Sequence, residues 1–104
     1  MLYEVYYMKP DHFRTYIFGD VQPRLRTLSD THTKLGTFAA DNMEKLFAQM
    51  QGEVWSPNGE ARNLIRGLGL RHTSMSVGDV VHNVSTGEYH VVANYGFDKL
   101  EVEQ

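Results

Sequence analysis

A chain of 104 residues with formal charge −3 and 41% apolar content is long enough for one hydrophobic core and too short for two. A pI near 5.9 is the wrong sign for a whole-domain nucleic-acid footprint, which is strongly basic. The absence of cysteine excludes disulfides, thiolate metal sites and cysteine nucleophiles.

The first seven residues after Met1, "LYEVYYM", are β-branched and aromatic and apolar on both faces, which predicts a central strand. This N-terminus lacks the basic start and long apolar stretch of a signal peptide. After Pro10, Asp11 is placed to cap one or two turns carrying Phe13, Tyr16 and Ile17, and residues 19–30 read as loop. "THTKLGTFAA" (31–40) is strand-like but contains Gly36.

Helical spacing is clearer from Asp41 onward. Asp41 and Glu44 have the spacing of a capping box, and Met43, Leu46, Phe47 and Met50 fall on one helix face. Gly52 then supplies a stop. A second helix is predicted with Ser56 as N-cap and Pro57 in its first turn. Its buried stripe would be Ala61, Leu64, Ile65 and Leu68, with Arg62 and Arg66 on the opposite face and Gly67 and Gly69 at its end. From Val77 the pattern becomes β. "DVVHNV" and "EYHVVANY" flank "STG" as a hairpin, and "GFDKLEV" follows as a short last strand. One domain over 1–104 is expected, α+β, with two helices packed on one face of a mostly antiparallel sheet.

Charge is uneven along the chain. Positions 61–78 hold Arg62, Arg66 and Arg71 and no acid, a local basic island. "GLGLRHTSMSVGD" adds glycines and hydroxyls, the ingredients of an anion-binding concavity, although neither a Walker nor a dinucleotide spacing is present. The cluster His72, Ser74, Ser76 and Asp79 also raises hydrolytic catalysis. A triad needs groups converging from a folded pocket, and Ser and Asp beside glycine are equally what a helix-to-strand turn requires, so the turn outweighs catalysis. If the hairpin loop has three residues, His82 faces His90. That pair offers a metal edge without a convincing third ligand, so no metal and no cofactor are expected.

Trp55 reads as a lid over the core or an exposed interface anchor. If exposed, it would share one surface with Asn58, Arg62, Arg66, Arg71, His72 and Ser74. No apolar run approaches the roughly 18 residues of a membrane span, so the expected protein is soluble.

Taken whole, the chain resembles a family of small uncharacterised proteins of tailed bacteriophages and prophages. The strings that carry the resemblance are "YEVYYMKPDHFR", "LFAQMQGEVWSPNGEARNLIRGLGLRHTSMSVGDVV" and "YGFDKL". "HTSMSVGDVV" with the later Gly-Phe is also similar to the YodL-like segments of mobile-element proteins. The resemblance implies a phage origin and a host-cytoplasm address, and it brings no enzymatic activity with it. "SVGDVV" entering a hairpin is similar to a turn in PUA and ASCH-like barrels that bind RNA, a likeness of topology alone.

The expectation is therefore a non-catalytic binding protein acting on a host or phage macromolecule, such as a host defence or nucleic-acid enzyme. A protein is the favoured partner. Nucleic acid bound through Arg62, Arg66 and Arg71 is the alternative, a small enzyme or phosphate-ligand binder at residues 70–79 stands third, and homo-oligomerisation is left open.

Overall fold

The computed structural model describes residues 1–12 and 23–101. The expected turns carrying Phe13, Tyr16 and Ile17 lie outside these residues, as does the first part of the expected loop at 19–30.

Five strands form one antiparallel sheet in the order β2-β1-β3-β4-β5. They are β1 (Leu2–Met8), β2 (His32–Ala39), β3 (Val80–Asn83), β4 (Tyr89–Val92) and β5 (Phe97–Leu100). The α+β class is as expected, and β1 is internal because both of its faces find apolar cover. Tyr3, Val5 and Tyr7 point to one side, into a core with Leu46, Met50, Ala61, Ile65, Leu70, Met75, Val81 and Val92. Tyr6 points to the other side, against Leu28, Val80, Val91 and Leu100. Period-two alternation sends the neighbours Val80 and Val81 to opposite faces.

Gly36 sits beside an irregularity rather than interrupting β2. Val5 pairs with Gly36 and Tyr6 with Lys34, so Leu35 is an extra residue on β2, a β-bulge. The bulge shifts the alternation by one, which is why Leu35 and Phe38, three apart, both serve the same core.

Helices cover the sheet on both sides. On the larger face lie α2 (Met43–Gln49), α3 (Gly52–Trp55) and α4 (Arg62–Gly67), while a short α1 (Leu28–Thr31) places Leu28 on the other. The two predicted helical stretches lie on one face as expected, while the sequence from 25 to 30, expected to be loop, is helical because Leu25 and Leu28 have apolar strand residues to cover.

Two helix starts also move. The cap of α2 is Asn42, whose side chain accepts the Lys45 N–H, one residue after the expected Asp41. The second predicted helix does not begin at Pro57. The chain makes α3, then an irregular turn, and resumes as α4 only at Arg62. Asn58-Gly59 explains the break, since Gly59 has φ +82, a left-handed conformation foreign to a helix interior. Ser56 bridges the gap by accepting the Ala61 N–H at 2.9 Å. Delaying the helix rotates its buried stripe. Ala61, Ile65 and the partly buried Leu68 remain inward, but Leu64 is 45% exposed.

Candidate functional site

The residues singled out by sequence divide between two neighbouring places, a buried polar junction and an open cleft. The junction joins α4 to β3. Asp79 is 1% exposed, and its carboxylate accepts from three donors: Met8 N–H (2.9 Å), Ser76 N–H (2.8 Å) and His72 Nε2–H (2.9 Å to the nearer oxygen). A buried carboxylate is tolerable only when its lone pairs are so matched. The His72 ring stacks on Tyr7 at 4.5 Å between centroids. Tyr7 in turn donates its hydroxyl to Thr73 O at 2.7 Å, and Trp55 Nε1 donates to the same carbonyl at 2.9 Å. Burial, with the nearby Asp79 carboxylate second, holds the Tyr7 phenol far above its ordinary pKa, so it is a hydrogen-bond donor at every physiological pH.

Beside this hub, His32 is almost fully buried. Its Nε2 lies 2.7 Å from Gly78 O and its Nδ1 2.7 Å from Thr31 Oγ1, so Nε2 carries the hydrogen and Nδ1 accepts the threonine proton. Burial is the largest influence on it and lowers its pKa, favouring the neutral ring, against the raising effects of Gly78 O and Asp79. The serines are also committed. Ser74 Oγ accepts the Gly52 N–H at 2.7 Å, and Ser76 Oγ donates to Ser74 O at 2.9 Å. These side chains are aligned for holding the chain together, and neither hydroxyl is bonded to His72.

The anion-binding concavity weighed for "GLGLRHTSMSVGD" has part of its backbone engaged within the fold. Gly69 N–H and Leu70 N–H go to helix carbonyls, Met75 N–H to Met50 O, Gly78 N–H to Val92 O and Asp79 N–H to Ser76 O. Ser76 N–H is likewise held, by the Asp79 carboxylate. The histidine pair is corrected. His82 pairs with Tyr89, and His90 with Val81. The one-residue change of register puts the two imidazoles on opposite faces of the sheet. His82 instead stacks on Tyr89 and donates from Nδ1 to Glu4, its cross-strand neighbour. Hydrogen bonds from Lys34 and then from His82 hold the Glu4 carboxyl below its ordinary range. Among the described residues no three His, Cys, Asp or Glu side chains are grouped to hold a metal.

The cleft lies between α3 and α4, encloses about 330 Å3 and is lined by Gly52, Ser56, Pro57, Asn58, Gly59, Arg62 and Thr73. Of the predicted surface, Asn58 and Arg62 meet here. Trp55 and Ser74 support it from behind, through Thr73 O and Gly52 N–H. Trp55 is the half-buried lid, with its ring edge-on to Phe38 at 6.2 Å. His72 belongs to the junction. Arg66 and Arg71 are exposed but do not line the cleft.

Sequence reasoning missed Gly52, Gly59 and Thr73 as lining residues, and Tyr7, Met8 and His32 as partners of the junction. Asn58-Gly59 is a turn signature, and reading it as such would have broken the predicted helix and located the cleft. Nothing local marks Tyr7 or His32, which reach the junction through strand pairing.

Arg62 folds against this turn. A Cβ at Gly59 would stand 2.8 Å from Arg62 Nε and 3.0 Å from Cζ, so the guanidinium rests where only glycine leaves room. The one acid of the turn, Glu60, makes no ion pair with it among the described residues. Its carboxylate accepts Asn58 N–H and Asn58 Nδ2–H, and hydrogen bonds from its own backbone first and from Asn58 second hold it below the usual carboxylate range. Arg62, Arg66 and Arg71 make no ion pair among the described residues. Arg62 and Arg66 stand four apart on a six-residue helix, where like charges cost roughly 0.2–0.5 kcal/mol.

Compared with protein-family models, curated proteins and solved structures, the chain matches none. Among the described residues, no helix is long and apolar enough to cross a membrane.

Proposed function

We propose that this protein is a small non-catalytic binding protein of phage origin that acts on a host or phage macromolecule, and that it recognises that partner through the α3–α4 surface around Arg62 and Arg66. The supporting observation is the contrast within the site. His72, Asp79, Ser74 and Ser76, the side chains that would do chemistry, are tied into internal hydrogen bonds. The arginines beside them are exposed and make no ion pair among the described residues.

Exposed Val54 and Leu64 sit on the same two helices. Arginine set among apolar side chains is the composition of a protein-recognition surface, whereas a nucleic-acid surface is a stripe of cations. A protein is therefore the favoured partner, and a net charge of −3 works against a polyanion at long range.

The test uses the tagged protein and its Arg62→Glu/Arg66→Glu variant on bacterial host extract, with retained proteins identified by mass spectrometry. At least one protein held by the unaltered chain and lost from the variant is the expected result. The same two proteins are titrated with a labelled oligonucleotide at low and moderate salt. A steeply salt-dependent affinity, lost in the variant, would replace the protein partner with nucleic acid. Loss of neither kind overturns the assignment of this surface.

A further inference from the structure

We infer that the α3–α4 cleft is the seat of a single carboxylate, presented by an acidic side chain of the partner protein and gripped by the fork of Arg62. This deepens the reading above and rests on it. The chemistry of the lining selects the ligand. Every backbone amide of the turn that a phosphate would need is already committed: Gly52 N–H to Ser74 Oγ, Asn58 N–H to Glu60, Gly59 N–H to Ser56 O and Arg62 N–H to Gly59 O. Phosphate sites are characteristically built on such amides, and here none of these four is left.

Arg62 supplies one planar guanidinium, and beside it stands the Thr73 side chain, whose hydroxyl makes no hydrogen bond among the described residues while its carbonyl is engaged by Tyr7 and Trp55. A guanidinium and a carboxylate match through two parallel N–H···O bonds. One cation for one charge suits a lone Asp or Glu head, and about 330 Å3 is at the lower limit of ligand pockets, near 300 Å3.

The geometry is also set in advance. Gly59 lets the Arg62 stem lie flat against the turn. Glu60, which by sequence distance alone would be the natural partner of Arg62, is held by Asn58. No acid occurs from residue 61 to 78 to compete for the fork. A side chain so placed loses less freedom on binding than a free surface arginine.

The experiment is a nuclear magnetic resonance titration of the whole chain, following backbone amides and the Arg62 Nε–H. The probes are a capped tetraglutamate peptide, a capped tetraglutamine control, inorganic phosphate and a thymidine oligonucleotide. Tetraglutamate is expected to give saturable shifts at Arg62 Nε–H, Gly59 and Thr73, with none from tetraglutamine. Arg62→Gln should abolish them, and Arg62→Lys, which keeps the charge and loses the fork, should weaken binding about tenfold. Unchanged signals elsewhere in each variant establish that it is folded. Absence of saturation, survival of the shifts in Arg62→Gln, or tighter binding of phosphate or oligonucleotide overturns the inference. If an Arg62/Arg66-dependent protein is captured from extract yet tetraglutamate leaves the cleft undisturbed, the carboxylate assignment fails and the binding function stands.

Discussion

The junction at residues 72–79 and the cleft at residues 52–62 are assembled from the same materials: glycines, hydroxyls, a tight turn and a charged side chain. In the first, the charge is buried, and its oxygens are met by Met8, Ser76 and His72. In the second, the charge is in water, and the nearest acid in sequence has been turned aside to Asn58. The difference lies in what surrounds the turn. Asp79 stands buried immediately before the internal strand β3, where an unmatched charge would be ruinous. Arg62 begins a surface helix, where leaving a charge unmatched costs little stability. Similar composition therefore gives a structural hub in one place and an open surface in the other.

If that contrast is right, substitutions on the two sides should separate by size as well as by kind. The largest effect is expected at Gly78, which has φ +97 and whose added Cβ would run into Met8 Cε. Strain and overpacking together make Gly78→Ala cost about 4 kcal/mol, read as a lowered urea midpoint or as failure to fold. Asp79→Asn keeps the shape but turns an amide towards a backbone N–H, and about 2–3 kcal/mol should be lost in the same measurement. A stable Asp79→Asn protein would break the comparison, since the junction would then not depend on its charge.

Acid should find the junction before the rest of the molecule. The folded pKa of His32 is lowered from 6.5, so below that value the unfolded chain takes up a proton that the folded one refuses. Its contribution is complete above pH 6.5 and declines as pH falls towards the folded value. Glu4, also lowered, from 4.5, loses its contribution only as pH falls below that figure. Stability measured from pH 7 to 4 should fall in both windows, and His32→Gln should flatten the upper one alone. A slope between pH 6.5 and 5 unchanged in this variant would contradict the assignment.

Trp55→Phe keeps the packing on Phe38 and removes the bond to Thr73 O, for an expected loss of about 1 kcal/mol. The smallest effect belongs to the cleft. Arg62→Ala should leave the unfolding free energy, read by urea denaturation, within about 0.5 kcal/mol of the unaltered chain while removing partner binding. A large destabilisation there would make Arg62 a structural residue like Asp79 and erase the distinction.

Much of the fold was legible because it rests on local pattern. The two-sided apolar "LYEVYYM" is an internal strand, and Leu46 and Met50 face the core as their spacing requires. What was misread depends on pairing or on a single backbone angle. The register of β3 and β4 is set by loop geometry, and one residue of difference separated His82 from His90. The start of α4 turned on Gly59, and with it the exposure of Leu64. At the site, Asn58 and Arg62 were recognised as neighbours, whereas His72 was assigned to the surface because its partner Tyr7, 65 positions earlier in the numbering, is invisible to any local reading. Trp55 was left between lid and anchor, and the carbonyl of Thr73 decides for the lid.

The position of β1 has a consequence for how the chain is made. It precedes the other four strands along the chain and is an internal strand of the finished sheet, hydrogen-bonded on one edge to β2 and on the other to β3. Tyr3 meets Asn83, 80 positions further along the chain, only once β3 has been synthesised. Until then, a strand carrying three tyrosines has one open edge, and closing it requires a contact of long sequence separation, the kind that slows folding and exposes nascent chains to aggregation. Truncation before Val80 would leave β1 without its second neighbour.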